Sequence, residues 1–378
     1  MAVTVIEQNT PFDADGPRAA CGWRVRVTVS QAPKEFLQAR RAMPVLKVSH
    51  TLSLRSVLRH QSPRSGEAVA ASPRGAAITA TISTQEPAVS PAWRRYVELT
   101  KPKIVALVTF TALVGALLAR PGLPPPGMLA AALLGIALSA QCAAVLNHLF
   151  DRHLDARMAR TWRRPLPTRS VTSGQAVAVA AVLGVAGGAV LVEYVNLFTA
   201  ALTWSALIGY AVIYTAWLKH ATSENIVLGG AAGAAPPVLG WTAVTGHLEL
   251  NALLLFLVIF LWTPPHFWPL AIARRREYAR AGVPMLPVTH GVPYTKSRIL
   301  LYTILLSLST VLPVLTGMSG AIYLCTALAL DGAFLYLALR LKAGGPRKLP
   351  MRMFHYSLFY LPMLFVALWI DHLWRVSL

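Results

Sequence analysis

Long apolar blocks alternate with short polar segments in this 378-residue chain after residue 93. Blocks of about 20 residues with few or no charges are long enough to cross the hydrocarbon core of a bilayer as helices. The pattern therefore predicts an all-α, polytopic membrane protein with about nine transmembrane helices around a central cavity. The predicted spans are 104–119, 128–149, 177–191, 197–218, 226–245, 252–273, 299–318, 321–339 and 354–368.

The first 93 residues lack this pattern. They are rich in Arg, Ser, Ala and Pro and have weak hydrophobic periodicity, which is typical of disordered segments. Residues 43–64 contain no acidic side chain, as in a transit peptide, but Glu7, Asp13 and Asp15 precede them. We therefore predict a disordered, dispensable extension over 1–93 and a nine-helix membrane domain over 94–378.

Composition and charge agree with a membrane protein. Hydrophobic residues make up 55% of the chain and charged residues 13%, which excludes an ordinary soluble globular protein. The formal charge of +20 would otherwise suggest a nucleic-acid partner. However, 22 of the 24 Lys and Arg after residue 93 fall on one side of the predicted membrane, and only Arg120 and Arg375 fall on the other. By the positive-inside rule, we expect a cytoplasmic (or matrix-facing) N-terminus, the lipid bilayer as a partner and no nucleic acid.

The strongest candidate site lies at the end of the second predicted span, in the sequence NHLFDRHLD. Asn147, Asp151 and Asp155 are four residues apart and therefore lie on one face of a helix. Two carboxylates on one face suit Mg²⁺, which completes its shell with water and phosphate oxygens. For any single acidic residue of this motif, the alternative is that it only solvates the end of the helix and binds no metal. Four arginines suited to bidentate binding of phosphate follow directly: Arg157, Arg160, Arg163 and Arg164.

Two further polar clusters follow the fourth and sixth predicted spans, over 219–225 and 274–278. All three clusters follow even-numbered spans and so lie at one membrane face, where they could hold a metal diphosphate whose apolar tail runs between helices. Pro236–Pro237 and Pro264–Pro265 interrupt the fifth and sixth spans. Because backbone carbonyls freed by proline must be covered, these prolines indicate an internal cavity.

His266 and Asp331 are ionisable residues within predicted spans, and His355 lies at the start of the last span. Such residues are functional candidates, because placing a charge there costs about 2.5–3.5 kcal/mol. A histidine in an apolar segment is nonetheless more often a hydrogen-bonded structural residue than a ligand. Asp331 needs a partner or a proton, and the sequence does not identify that partner.

At these residues the sequence resembles the UbiA-type intramembrane prenyltransferases, and within them the branch that farnesylates heme. Asn147, Asp151 and Asp155 match the first aspartate-rich motif of the superfamily. The longer strings that resemble the heme-farnesylating branch are ELTKPKI (98–104), YTAWLK (214–219), NIVLGG (225–230) with the following PP and GW, WTPPHFW (262–268) and AGVPMLP (281–287). The TPPHFW form is similar to bacterial members, which implies a bacterial inner membrane, with the mitochondrial inner membrane as the alternative.

The resemblance implies a Mg²⁺-dependent transfer of the farnesyl group of farnesyl diphosphate to a vinyl group of heme b, with addition of water. The implied metal ligands are carboxylates: Asp151, Asp155 and Glu277. The implied diphosphate ligands are cations: Arg160, Arg164 and Lys219. Heme b is a substrate in this reading, and heme A synthase or terminal oxidase assembly factors are candidate partners.

Three other residues receive roles from the same resemblance. Asn147 joins Asp151, Asp155 and Lys219 as a candidate catalytic residue, Tyr278 belongs to the second acidic motif as a substrate-binding residue, and His266 is the candidate for contact with heme. The chain departs from the family at Glu277, where an aspartate is usual, although glutamate still binds a cation. It departs again at Pro269, which replaces a small residue.

Three alternatives compete with this interpretation. A different prenyl acceptor, such as an aromatic quinone precursor or chlorophyllide, is disfavoured by the TPPHFW and AGVPMLP strings. A transporter would need charges near the bilayer midplane and usually an internal repeat, whereas the polar clusters here lie at one face. A non-catalytic oxidase assembly factor is disfavoured because Asp151 and Asp155 are both present.

Overall fold

The computed structural model describes residues 3–6, 26–29 and 91–374. The chain divides into two units, Met1–Val89 and Ser90–Leu378. In the first unit, strands β1 (Val3–Ile6) and β2 (Arg26–Val29) pair antiparallel. At these eight residues the structure has strands where we predicted disorder. The remainder of the predicted extension falls almost entirely outside the described residues and stays a prediction.

The second unit is built from helices in its described part. In chain order these are α1 (Ala92–Leu99), α2 (Pro102–Leu118), α3 (Pro126–Asp155), α4 (Ser173–Tyr194), α5 (Leu197–Ile208), the π-helical segment Gly209–Leu218, α6 (Lys219–Ala221), α7 (Asn225–Ala234), α8 (Pro236–Thr245), α9 (Leu250–Ala273), α10 (Arg275–Ala281), α11 (Leu286–Thr289), α12 (Gly291–Ser309), α13 (Leu312–Leu315), α14 (Ala321–Lys342) and α15 (Leu349–Trp374).

Eight helical stretches in the described part of the chain are long and apolar enough to span a membrane. Helices α1 and α2 together would form a ninth stretch, bent by 50° at the break between them. Every predicted span falls on one helix or on two consecutive helical segments, so the prediction of an all-α, polytopic fold is confirmed. Helix α3 has 30 residues and is about 45 Å long, whereas a bilayer core is about 30 Å thick. Its last turns, which carry the acidic motif, therefore extend toward a membrane surface.

Helices α2 and α8 pack with their backbones in close contact. A Cβ atom added at Gly240 would lie 1.8 Å from the carbonyl oxygen of Ala112, and one added at Gly115 would lie 2.1 Å from that of Pro237. Small residues allow helices to approach this closely in membranes, where van der Waals packing drives association. Glycine is therefore required at both positions.

The two proline pairs behave differently. The fifth span breaks at Ala235, between α7 and α8, and Pro236 begins α8. By contrast, α9 runs from Leu250 to Ala273 as one helix, although it contains Pro264, Pro265 and Pro269. Only the first pair divides its span into two helices.

Asp331 on α14 has the partners that the sequence could not identify. Its Oδ1 atom accepts a hydrogen bond from Tyr360 of α15 (2.6 Å), and its Oδ2 atom accepts one from Thr310, just after α12 (2.6 Å). Because a buried carboxylate needs such donors, this cluster links three helices of the C-terminal half.

Candidate active site

The acidic motif is buried at the C-terminal end of α3. Asn147, Asp151 and Asp155 are 5%, 4% and 4% exposed, and the Asn147 side-chain amide donates to Oδ2 of Asp151 (3.1 Å). The helical repeat places the three side chains on one face, as their spacing predicts. The structure thus brings together the polar residues that the motif suggested.

Two cations from other parts of the chain neutralise these carboxylates. Lys219 Nζ lies 2.6 Å from Oδ2 of Asp151, and a guanidinium nitrogen of Arg164 lies 2.8 Å from Oδ2 of Asp155. The lysine and arginine side chains are themselves only 14% and 24% exposed. Buried charges are tolerated when they are paired in this way. Lys219 and Arg164 therefore lie where a bound anion could contact them.

The π-helical segment positions Lys219. Within it, the Thr215 hydroxyl donates to the carbonyl of Tyr210 (2.8 Å) and accepts from the side-chain amide of Asn147 (3.3 Å). π-Helical turns are rare and occur frequently at functional sites. In this protein the segment joins α5 to α6 and presents Thr215 and Lys219, four residues apart, to the acidic face of α3.

Sequence reasoning assigned no individual role to three residues of this site. Lys101, in a left-handed conformation between α1 and α2, donates a hydrogen bond from Nζ to the side-chain oxygen of Asn147. Asn225 is fully buried, and its amide donates to the carbonyl of Lys219 (3.2 Å). His148 lies beside Asn147 on α3. The only available signals were that Lys101 belongs to ELTKPKI and Asn225 to the second polar cluster.

Glu277 is not brought into a cluster with the two aspartates. Its carboxylate accepts from the guanidinium of Arg274 (3.2 Å), three residues earlier, and from the backbone N–H of Arg160 (3.3 Å). Among the described residues, no three His, Cys, Asp or Glu side chains are close enough to hold a metal ion. In the described residues Glu277 therefore pairs with Arg274 rather than forming a three-carboxylate cluster with Asp151 and Asp155, and its role as a metal ligand stays a prediction.

Arg160 and Tyr278 lie near Glu277, whose carboxylate accepts from the backbone N–H of Arg160. The Arg160 side chain is exposed, while Tyr278 in α10 is buried. Burial raises the pKa of the Tyr278 phenol, and the positive charges of Arg160 and Arg274 partly oppose that increase. These residues form a flank of the site at the membrane face.

His266 belongs to the second half of the helical unit. Its Nδ1 atom is hydrogen-bonded to the hydroxyl of Ser357 (2.6 Å), and its ring stacks on Trp262 and Phe354, with centroids 4.2 and 4.9 Å away. These contacts match the structural interpretation of this histidine, because a hydrogen bond and two rings already hold it.

An apolar cavity of about 160 Å³ opens beside the acidic motif. Lys101 and Tyr210 line its polar end, and Ile136 and Leu239 line its deep end. Fifteen residues of α3 separate Asp151 from Ile136, which is about 22 Å along the helix axis. Most of the remaining lining is alanine, valine or leucine, so the cavity suits an elongated apolar ligand with a charged head.

The carboxylates fit a hard divalent cation. The Oδ1 atom of Asp151 is buried and has no hydrogen-bond partner in the described part of the chain. Mg²⁺ needs only one or two carboxylates when phosphate oxygens and water supply its other ligands. Asp151 and Asp155 could therefore hold such an ion together with a phosphate-bearing substrate.

Comparison with known proteins identifies close relatives. Residues 108–368 match the profile of the UbiA prenyltransferase family. A protoheme IX farnesyltransferase from Methylococcus capsulatus is 55% identical over 292 residues, which cover 77% of this chain and 98% of the relative. A protoheme IX farnesyltransferase from Shewanella oneidensis is 55% identical over 295 residues, which cover 78% of this chain and 98% of the relative.

Solved structures are similar in fold. A digeranylgeranylglyceryl phosphate synthase has a TM-score of 0.64 at 16% identity, covering 74% of this chain and 98% of its own. A UbiA homolog from Archaeoglobus fulgidus, bound to GPP and Mg²⁺, has a TM-score of 0.52 at 14% identity, covering 72% of this chain and 99% of its own. At these identities the likeness establishes the helical arrangement alone.

Proposed function

This chain belongs to the UbiA prenyltransferase family, and from that premise we propose that it farnesylates protoheme IX in the bacterial inner membrane, giving heme O and diphosphate. The observation that carries the proposal is the buried NxxxDxxxD face, with its cations, at the mouth of an apolar cavity. The diphosphate of farnesyl diphosphate would bind at this polar face of α3, and its farnesyl chain would lie in the cavity. The acceptor follows from the relatives, which bear the name protoheme IX farnesyltransferase.

The bonds in the reaction balance without an oxidant or reductant. The bond between C1 of the farnesyl group and the diphosphate oxygen breaks, and its electron pair leaves with diphosphate. The vinyl π electrons of heme form the new bond to C1. Water then adds to the remaining vinyl carbon and releases a proton, which produces the hydroxyethylfarnesyl group.

The residues of this chain contribute charge and exclusion of water. Lys101, Lys219 and Arg164 would bind the diphosphate and stabilise the charge that grows on it as it leaves. Mg²⁺, held by Asp151 and Asp155, would neutralise more of that charge. The apolar cavity would keep bulk water away from the allylic cation at C1, which water would otherwise convert to farnesol.

We assign Mg²⁺ to Asp151 and Asp155, and Glu277, which pairs with Arg274 and the backbone of Arg160 in this structure, remains a proposed third ligand. Arg160 and Tyr278 remain proposed contacts of the diphosphate or acceptor at the flank of the site. Contact between His266 and heme stays a proposal that no described contact supports. A cytoplasmic N-terminus is also a proposal, supported by the charge distribution. Two more proposals are partnership with heme A synthase or a terminal oxidase and the dispensability of residues 1–93.

A heme profile tests the proposed reaction. The full chain, its Asp151→Asn variant and residues 94–378 are expressed in a bacterium that lacks its own heme-farnesylating enzyme, and extracted hemes are separated with mass detection. We expect heme O from the full and shortened chains and none from Asp151→Asn. Glu193→Gln, which changes an exposed acid at the end of α4, serves as the control and should give normal heme O.

Two results would contradict parts of the proposal. Absence of heme O from membrane-inserted wild-type protein would exclude heme as the acceptor and make quinone precursors the next substrates to test. If purified protein releases diphosphate from farnesyl diphosphate equally well with EDTA and with Mg²⁺, the metal assignment is wrong.

A further inference from the structure

His148 is a buried histidine whose ring is unpaired. It is 2% exposed, and neither Nδ1 nor Nε2 has a hydrogen-bond partner within the described part of the chain. A neutral imidazole carries one N–H donor and one acceptor nitrogen. Burying both without partners is unfavourable, so such a group in a folded protein requires an explanation. His266 provides the contrast, because Ser357 pairs with its ring.

The position of His148 connects it to the diphosphate site. It follows Asn147 directly and precedes Asp151 by three residues, so it lies on a neighbouring part of the same helical face. Lys101 and Arg164 both reach this stretch of α3. Those two side chains contact Asn147 and Asp155. The unpaired ring therefore lies on the stretch of α3 whose neighbouring side chains would contact a bound polyanion.

We propose that His148 is a further substrate-binding residue, whose ring N–H donates a hydrogen bond to the diphosphate of the prenyl donor. The inference rests on the proposed function for the identity of the donor. Diphosphate oxygens only accept hydrogen bonds, so they match the unpaired donor on the ring. Coordination of Mg²⁺ by the ring is a poorer explanation, because that ion prefers oxygen ligands.

The test measures thermal stability and diphosphate affinity in wild type and in variants at position 148. Purified full-length wild type, His148→Leu and His148→Gln are unfolded thermally in detergent with Mg²⁺, at increasing concentrations of inorganic diphosphate. Without diphosphate, the leucine variant should be at least as stable as wild type, because an apolar side chain replaces unpaired polar atoms. Its affinity for diphosphate should fall about tenfold, equivalent to about 1.4 kcal/mol.

The other variants distinguish a ligand contact from a structural role. Glutamine keeps an N–H donor, so His148→Gln should recover part of the lost affinity. His153→Leu replaces an exposed histidine five residues further along α3 and should bind diphosphate like wild type. The KM for farnesyl diphosphate should follow the same order, while the KM for heme stays within about twofold.

Four outcomes would overturn the inference. Equal diphosphate affinity in His148→Leu and wild type would assign the ring a packing role. Failure of His148→Leu to fold would also refute the argument, since an apolar side chain should be accepted there. A wild-type protein that is not stabilised by diphosphate would refute both this contact and the donor site. Heme O formation with unchanged affinity in His148→Leu would refute the contact alone.

Discussion

The depth of the apolar cavity predicts how a substitution would change the length of prenyl donor that the protein prefers. Ala143 lies on the wall of the cavity between its polar and deep ends. Eight residues of α3 separate it from Asp151, which is about 12 Å along the helix. Replacing Ala143 with Phe would place a ring across the cavity at that depth.

The magnitude follows from chain length. If each C–C bond of about 1.5 Å advances an extended chain by about 1.3 Å, the 12-carbon farnesyl main chain spans about 14 Å and the eight-carbon geranyl main chain about 9 Å. The ring at position 143 would then exclude the last isoprene unit of farnesyl and admit geranyl. Loss of burial for five carbons, at about 0.8 kcal/mol each, amounts to at most about 4 kcal/mol. We expect kcat/KM for farnesyl diphosphate to fall at least tenfold.

The assay is a competition between farnesyl and geranyl diphosphate on purified Ala143→Phe protein with heme b, with product masses as the readout. Geranylated heme should become the main product. Ala130→Phe, an exposed position on the same helix, should keep farnesyl as the preferred donor. If folded Ala143→Phe protein still farnesylates heme preferentially, the prenyl chain does not occupy this cavity.

Three further predictions concern stability, measured by thermal unfolding of purified protein in detergent. Lys219→Met leaves the carboxylate of Asp151 buried without its cation and should cost about 3–5 kcal/mol. Gly240→Ala places a Cβ atom 1.8 Å from a carbonyl oxygen of α2 and should prevent recovery of folded protein, because a backbone contact cannot relax easily. Tyr360→Phe removes the 2.6 Å hydrogen bond to Asp331 and should cost about 1–3 kcal/mol with little change in KM for the donor.

Each of these predictions has a matched control. Adding Asp151→Asn to Lys219→Met should recover part of the lost stability, and additive losses would show that the two residues are not coupled. Gly233→Ala adds a Cβ atom with no neighbour within 4 Å and should give normal yields. Tyr336→Phe, which changes an exposed tyrosine, should shift stability by less than about 0.5 kcal/mol, and an equal loss at both tyrosines would contradict the role given to the buried pair.

Local periodicity was sufficient to predict the spans and one face of the site, whereas the family was predicted from the resemblance of the motif and of longer strings. The apolar blocks identify the membrane helices because the bilayer imposes a minimum length on each of them. The four-residue spacing of Asn147, Asp151 and Asp155 places them together because a helix repeats every 3.6 residues. The family resemblance of the motif and longer strings is confirmed by the match over residues 108–368 and by the relatives at 55% identity.

Contacts between distant segments were decided by the tertiary structure. Lys219 was expected to bind phosphate, but nothing in its sequence neighbourhood indicates that it pairs with Asp151, 68 residues earlier. The π-helical segment that presents it depends on hydrogen bonds that composition does not specify. The resemblance placed Glu277 with the two aspartates, whereas in the structure its carboxylate pairs with Arg274.

The sequence by itself therefore determined that this protein crosses the membrane many times and carries a prenyltransferase motif at one membrane face. Only the tertiary structure decided which cations neutralise that motif, where the apolar cavity runs and which histidine is left unpaired. The physical reason is that helical spacing determines neighbours within one helix, whereas contacts between helices depend on how their side chains and glycines pack.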